Sequence, residues 1–222
     1  MPARRIAVVG LLLALGVLAS AAKCIENDQM FVDTEGYTHV IGNMTNETDV
    51  SASTVTLSAK LFDANDNVIA EATGSPCPVS VTPHNQQVFD LKFPNPNITG
   101  AVRYEVRPIS GITLPGALPD PKIFLIRFYA QRAGPRVAVV GQVRNDSQQP
   151  YSNMIGCTAV FNNKGKVIRM KSSPIAGTLT PGAALIYTEV IPDVPDEAVQ
   201  FRLWFAPEGT QWVASDKVTI QN

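Results

Sequence analysis

The side chains best suited to chemistry in this sequence are three cysteines, Cys24, Cys77 and Cys157, and two histidines, His39 and His84. The cysteines form no CxxC motif, and no further ligands stand at zinc-binding spacing around the histidines. A G-x-S-x-G motif is also missing, so serine hydrolysis lacks its characteristic turn. We therefore predict no catalytic residue, no metal site and no cofactor, and expect that the protein is not an enzyme.

The cysteines are better suited to a disulfide than to catalysis. Their odd number leaves one thiol over, or one that pairs between chains. Cys24 and Cys77 both fall in the first half of the chain, so we expect them to bond each other. Residues 155–159 around Cys157 have the pattern of a strand, where a small thiol packs like an apolar side chain. The enzymatic alternative is a thiol nucleophile at Cys157 beside a histidine, which requires Cys157 to be accessible.

A calcium loop is imitated by Asp63, Asn65 and Asn67, which match its first three ligand positions. However, Val68 and Gly74 stand where such a loop needs glycine and a bidentate glutamate. We interpret the segment as a hairpin turn.

The elements that position these residues occur twice. Residues 39–46 (HVIGNMTN) match 138–145 (AVVGQVRN) at an offset of 99, and 61–69 match 160–168 at the same offset. Residues 102–106 match 199–203 at an offset of 97. A drift of only two residues over a whole repeat indicates two copies of one domain that differ at loop tips.

Hydrophobic residues alternate with polar ones at a period of two in both copies, which is typical of half-buried β-strands. The pattern places Val55, Leu57 and Leu61 on one buried face, and Val199, Phe201, Leu203 and Phe205 on another. The chain is thus predicted to be all-β, with two tandem immunoglobulin-like antiparallel β-sandwiches of about seven strands each. The predicted domains are residues 23–110 and 123–222. Residues 111–122 carry three prolines that are incompatible with a central strand, and we predict a stiff linker there.

An N-terminal signal helix is predicted at residues 1–22, with a basic start at Arg4-Arg5, an apolar stretch and a small-residue exit. We expect export to the cell envelope or exterior, which is the periplasm in a Gram-negative cell. A retained anchor and a lipid on Cys24 stay open, although Lys23 replaces the small residue that usually precedes an acylated cysteine. Without the two leader arginines, 16 basic residues face 19 acidic ones, and this balance favours no nucleic-acid partner.

The repeat resembles the FxLYD domain, an immunoglobulin-like module of exported bacterial and archaeal proteins. The resemblance rests on the openings 42–46 (GNMTN) and 141–145 (GQVRN), and on degenerate forms of the naming motif at 59–63 and 158–162. It implies a β-sandwich fold and an accessory, non-catalytic role.

One surface feature suggests a binding site. Trp204 alternates in phase with Arg202, opposite Phe201 and Leu203, and Trp212 begins the next strand. A tryptophan beside an arginine on a polar face is typical of a contact platform, here for an unknown protein or glycan at the cell surface. The alternative is that Trp204 and Trp212 pack on each other or are covered by the other domain. We predict a binding or structural protein of the envelope.

Overall fold

The computed structural model describes residues 25–114, 116–207 and 209–221, and its regular elements are β-strands. The first half forms β1 (Ile25–Val32), β2 (Tyr37–Thr45), β3 (Ala52–Phe62), β4 (Val68–Gly74), β5 (Gln86–Pro96) and β6 (Arg103–Thr113). The second half forms β7 (Ile123–Ala133), β8 (Arg136–Asn145), β9 (Met154–Asn162), β10 (Val167–Ile175), β11 (Ala184–Ile191), β12 (Ala198–Ala206), β13 (Val213–Ala214) and β14 (Val218–Thr219). The all-β prediction is confirmed for these residues, whereas the predicted signal helix lies outside them. Within the described ranges, no helix is long and apolar enough to cross a membrane.

The two halves share one topology. In the first half, β1-β2-β5 form one antiparallel sheet and β4-β3-β6 form another. The second half repeats these as β7-β8-β11 and β10-β9-β12, with β13 and β14 added beside β12. The registers agree as well, since Gly42 pairs with Phe89 and Gly141 pairs with Tyr187. The repeat in the sequence is therefore a repeat in structure, and each copy is an antiparallel β-sandwich.

Each sandwich has its own core, built by the alternation along its strands. Inward-facing residues of the first include Val40, Leu57, Leu61, Phe89, Leu91 and Phe93. Those of the second include Val139, Val143, Val160, Phe201, Leu203 and Phe205. Val199 is an exception, because a β-bulge between Ala198 and Gln200 leaves Val199 exposed and Ala198 buried. The predicted inward position of Val199 is wrong, since a period-two pattern does not reveal a bulge.

A buried asparagine holds the same turn in both copies. The side-chain amide of Asn46 donates to the carbonyl oxygens of Val50 at 2.8 Å and Val81 at 3.2 Å. Its own oxygen accepts the backbone N–H of Thr48 at 3.1 Å. Asn145 makes the same three kinds of bond, with Gln149, Leu179 and Ser147. This need for one side chain that donates twice and accepts once explains why both repeat openings end in asparagine.

The β3–β4 hairpin uses its acidic residue as a backbone acceptor. Asp63 accepts the backbone N–H groups of Asn65 at 2.8 Å and Asn67 at 2.9 Å. Asn162 does the same in the second copy, toward Lys164 and Lys166, both at 3.0 Å. The interpretation of this segment as a hairpin turn is confirmed.

The connection between the copies is held by the second sandwich. Residues 111–113, predicted as linker, belong to β6. Further on, the backbone N–H of Gln211 donates to the carbonyl of Pro119 at 3.0 Å, and its side chain donates to that of Leu118 at 2.7 Å. These bonds fix the connection along the segment that precedes β13.

Candidate functional site

The two sandwiches pack face to face. The outer side of β1-β2-β5 lies against the outer side of β10-β9-β12, so the four sheets stack in the order β4-β3-β6, β1-β2-β5, β10-β9-β12, β7-β8-β11. A separate buried cluster fills the contact, and its members are Ile41, Cys77, Val88, Cys157, Ala159, Phe161, Val167 and Trp204. We call this contact the intercopy interface. It is the candidate site because it holds the disulfide and Trp204, with His39 and Trp212 beside it.

A disulfide crosses the intercopy interface. Cys77 of the first copy bonds Cys157 of the second, with Cα atoms 6.1 Å apart and a sequence separation of 80. The predicted Cys24–Cys77 pairing is therefore wrong for Cys77, and Cys24 itself lies outside the described residues. A pairing within one copy would be expected if the copies folded separately, but here a sheet face of one copy covers the other and brings Cys77 to Cys157. Because Cys157 is bonded and fully buried, its role as a thiol nucleophile is excluded.

Trp204 faces outward from its own sandwich, as predicted, but the other copy covers it. Its side chain is only 2% exposed, so the proposed partner contact at Trp204 is wrong and the packed alternative is correct. Trp212 is half-buried against the same cluster. Arg202 lies over the Trp204 ring, with Cζ 5.1 Å from the ring centroid, and its Nε donates to the carbonyl of Ser215 at 2.9 Å. These residues stabilise the interface rather than present a free surface.

An aromatic and charged stack closes one side of the interface. Arg169 of β10 places its Cζ 3.8 Å from the centroid of the Phe31 ring. Phe31 also stacks on His39, its partner in the β1–β2 register, with ring centroids 4.8 Å apart. Burial lowers the pKa of Arg169, although Asp193, Asp90 and Asp33 oppose that shift. The second copy thus contributes a cation to a polar cluster of the first.

His39 is the centre of that cluster. Its Nδ1 lies 2.8 Å from an oxygen of Asp90, and its Nε2 lies 3.2 Å from an oxygen of Asp33. Burial by itself lowers the pKa of His39, but the hydrogen bonds and charges of Asp90 and Asp33 outweigh burial and raise it. With an acceptor at each nitrogen, the ring is suited to the doubly protonated, cationic form. The arrangement is an ion-pair network, because both nitrogens of the ring are already engaged.

A second polar cluster lies at the edge between β10 and β11. Glu189 accepts hydrogen bonds from Ser173 and from the Tyr187 hydroxyl, the latter at 3.2 Å, and pairs with Lys171 at 2.7 Å. Burial raises the pKa of Glu189, but its bonds to Lys171 and Ser173 outweigh burial and lower it. Burial raises the pKa of Tyr187, so its hydroxyl stays protonated and donates. The carboxylate therefore has its hydrogen-bond and charge partners within the protein.

Sequence reasoning overlooked Asp33, Asp90, Arg169 and Glu189, because none of them belongs to a recognisable motif. The signal that could have found the interface is the comparison of the two copies, because the positions that form the interface carry different residue types in the two copies. Cys157 replaces Ser58, and Trp204 replaces Arg107 at the same register. Among the described residues, no three His, Cys, Asp or Glu side chains are placed to hold a metal ion.

No protein-family model matches this sequence, and neither does any curated protein. One similar solved structure is a DUF3823 family protein from Bacteroides ovatus, with 10% identity and a TM-score of 0.32, covering 81% of this chain and 97% of that chain. Another is red sea bream transglutaminase, with 12% identity and a TM-score of 0.31, covering 96% of this chain and 34% of that chain. A third is a calcium-binding mutant of Bacteroides uniformis β-glucuronidase 2, with 10% identity and a TM-score of 0.31, covering 89% of this chain and 28% of that chain. The chain spans about a third or less of the length of these two enzymes. Similarity at this level is confined to coarse architecture and transfers no activity.

Proposed function

We propose that this protein is a non-catalytic module of the cell envelope or exterior, in which two FxLYD-like sandwiches form one stiff unit that spaces or binds other surface components. The observation that carries the proposal is the buried Cys77–Cys157 disulfide between the copies. Disulfides persist in oxidising compartments and are rare where thiols are kept reduced. The leader-like residues 1–22 agree with such an address.

Stiffness follows from the same interface. Tandem domains usually move relative to each other unless their contact is large and apolar. Here an apolar cluster, a covalent bond and the Arg169–Phe31 contact all join the copies. A unit of this kind keeps a fixed distance between its ends, as a spacer requires. Its partner is expected to be a protein or glycan of the cell surface.

Localisation and disulfide state test the proposal together. Cells of the native host are fractionated after their free thiols are blocked, and the protein is digested without reductant. We expect the protein in the extracytoplasmic fraction, with the Cys77 and Cys157 peptides linked. Recovery from the cytoplasm with both cysteines alkylated would contradict the proposal.

A lipid-anchored form is the second candidate. Because Cys77 and Cys157 bond each other, Cys24 has no remaining cysteine partner in its own chain, which holds three. Acylation would use this cysteine, although Lys23 departs from the usual processing pattern. The intact mass of protein from the native host decides: a diacylglyceryl group at an N-terminal Cys24 supports the anchor, and an unmodified N-terminus near Lys23 contradicts it.

A further inference from the structure

The outer side of β7-β8-β11 is an open face at one end of the stack of sheets. By register, Ile186 takes the place that Val88 has in the first copy, and Val140 takes that of Ile41. Ile41 and Val88 are buried under the second sandwich, whereas Ile186 is 68% exposed. The same face of the same fold is therefore covered in one copy and open in the other.

Large exposed apolar side chains run along this open face. They are Phe124 and Tyr129 of β7 and Ile186 and Val190 of β11. The register places them in successive outward rows of the sheet, so the apolar surface extends along the strands instead of forming a single spot. A contiguous exposed apolar surface marks an interaction site with a protein or a membrane.

The same face is basic. No outward position of β7, β8 or β11 carries an acidic residue, whereas Arg127, Arg136 and Arg144 all stand at such positions. The acidic side chains at the borders of the face already have basic partners, namely Asp146 with Arg144, Glu189 with Lys171 and Asp196 with Arg132. Arg127 and Arg136 have no acidic partner within the described ranges, so they are uncompensated positive charges.

The opposite end of the stack does not share this charge. On the outer side of β4-β3-β6, basic residues stand among acidic ones and form the ion pairs Lys60–Glu71 and Arg103–Glu105. The chain beyond the two leader arginines is acidic on balance, with 16 basic and 19 acidic residues. The positive charge of the β7-β8-β11 face is therefore a local feature that favours an anionic partner.

The spacing of the two unpaired arginines indicates what kind of anionic partner fits. Arg127 pairs with Gln142, about six residues from Arg136 along β8, which is about 20 Å at about 3.4 Å per residue. This distance exceeds the Debye length of about 8 Å at physiological ionic strength, so the two cations attract anions independently. Tyr129 and Val190 lie in the rows between them. The face therefore suits an extended surface that is anionic throughout and also accepts apolar side chains.

We propose that this face docks on a membrane surface that contains anionic phospholipids. We name it the outer β8 face and define it by Phe124, Arg127, Tyr129, Arg136, Ile186 and Val190. A long arginine side chain lays its stem along apolar surface while its guanidinium reaches a headgroup phosphate. Aromatic and aliphatic side chains enter the boundary between headgroups and acyl chains. The proposal deepens the envelope role given above by naming a lipid surface as a partner, and it rests on that role.

The charges set the expected strength of binding. A basic residue close to an anionic bilayer strengthens binding by about fivefold, and the attraction falls off within a Debye length. Two unpaired arginines and a few partly inserted apolar side chains therefore give weak, reversible and salt-sensitive attachment. This mode needs no membrane-spanning segment.

Co-sedimentation with lipid vesicles tests the proposal. The full protein is expressed with its own leader, checked by intact mass for removal of that leader, and carries Cys24→Ser so that no lipid is attached there. We expect binding to vesicles of phosphatidylglycerol and phosphatidylcholine in equal amounts, and much weaker binding to phosphatidylcholine alone. High salt should release the protein from the mixed vesicles, because it screens the arginines.

Variants locate the binding surface. Arg127→Gln and Arg136→Gln should each weaken binding to the mixed vesicles about fivefold, and the double variant about twenty-fivefold. Ile186→Ser should weaken it as well, because less apolar surface enters the bilayer. The matched controls are Arg107→Gln and Ile112→Ser, both at exposed positions of β6. Each control makes the same chemical change in the first copy and should leave binding unchanged.

Several results would overturn the proposal. These are no binding to the mixed vesicles, equal binding to phosphatidylcholine alone, or a loss for Arg107→Gln as large as that for Arg127→Gln. Binding to soluble polyglutamate without binding to vesicles would assign the face to an acidic protein and reject the membrane. Melting curves confirm that each variant is folded, since exposed positions tolerate substitution. Failure on vesicles leaves the fractionation result above unaffected, whereas a cytoplasmic location contradicts the proposed function whatever the vesicles show.

Discussion

The outer sides of β4-β3-β6 and β10-β9-β12 occupy the same place in the two sandwiches and meet different surroundings. In the first copy Ser58 pairs with Arg107 across β3 and β6, on a face that has the Lys60–Glu71 ion pair. At the same register, the second copy pairs Cys157 with Trp204 on a covered face. Outward positions do not contact the core of their own sandwich, so the same fold is compatible with Ser58 and Arg107 in one copy and with Cys157 and Trp204 in the other. The difference shows how a duplicated domain gains an interface through a few outward residues.

A second difference lies inside the sandwiches. Register equates Leu91 of the first copy with Glu189 of the second, and Gly74 with Ser173. Leu91 belongs to the first apolar core, whereas Glu189 is buried with Lys171 as its ion-pair partner. A core position thus accepted a carboxylate only together with a cation and hydroxyl donors. Each of these contrasts is open to direct test.

Trp204→Ala should have the largest effect. Removing a fully buried tryptophan costs about 3–5 kcal/mol of unfolding free energy. Urea denaturation followed by circular dichroism measures the loss. The control is Arg107→Ala at the equivalent exposed position of the first copy, which should change stability by about 0.5 kcal/mol or less. Equal effects would mean that the two faces are not differently covered.

Replacing Cys77 and Cys157 with serine should have the next largest effect. A cross-link that closes a long loop stabilises by roughly 2–4 kcal/mol, mainly by restricting the unfolded chain. Urea denaturation of the double variant, without reductant, should show this loss. Wild-type protein treated with a reductant that fully reduces the bond should match the variant. A variant as stable as the oxidised wild type would contradict a Cys77–Cys157 bond.

Glu189→Gln tests the buried carboxylate. At neutral pH it should cost about 1.5–3 kcal/mol, because hydrogen bonds to a charged group are lost or weakened. The lowered pKa of Glu189 means that its contribution is present above the ordinary value of 4.5 and is lost as pH falls through the lowered pKa. Denaturation curves of wild type and variant should therefore converge in acid. The matched control is Glu105→Gln, at an exposed ion pair, which should have little effect at any pH.

The sequence was sufficient for the parts of this fold that depend on local pattern. Alternation identified the strands around Leu57 and Phe201, and the repeat identified the shared register of Gly42 and Gly141. The bulge at Ala198 was not predictable, because an extra residue in a strand leaves no mark on composition. The alternation along β12 also correctly predicted that Trp204 points away from the core of its own sandwich.

The interface was beyond the same reasoning, since phase tells which side a residue faces and not what lies there. Arg202, Trp204 and Trp212 together have the composition of a binding platform and equally that of a domain contact. The pairing of Cys77 with Cys157 could not be predicted for the same reason, because the two residues meet only when the two copies pack against each other. The cluster around His39 is a further example, because Arg169 of the second copy comes near Asp90 of the first only through the packing of the copies.

His39→Gln should have the smallest effect, and it tests whether the first copy's charged interface edge differs from its uncharged counterpart at Ala138. Because Asp90 and Asp33 raise the pKa of His39 above its ordinary 6.5, its contribution is fully present below that value and is lost as pH rises through the raised pKa. We expect a loss of about 1 kcal/mol at about pH 6 and a smaller one at about pH 9. The control is His84→Gln, at an exposed histidine whose partner Asp49 is also exposed. A loss for His39→Gln that does not change with pH would show that the ring acts by stacking on Phe31 alone.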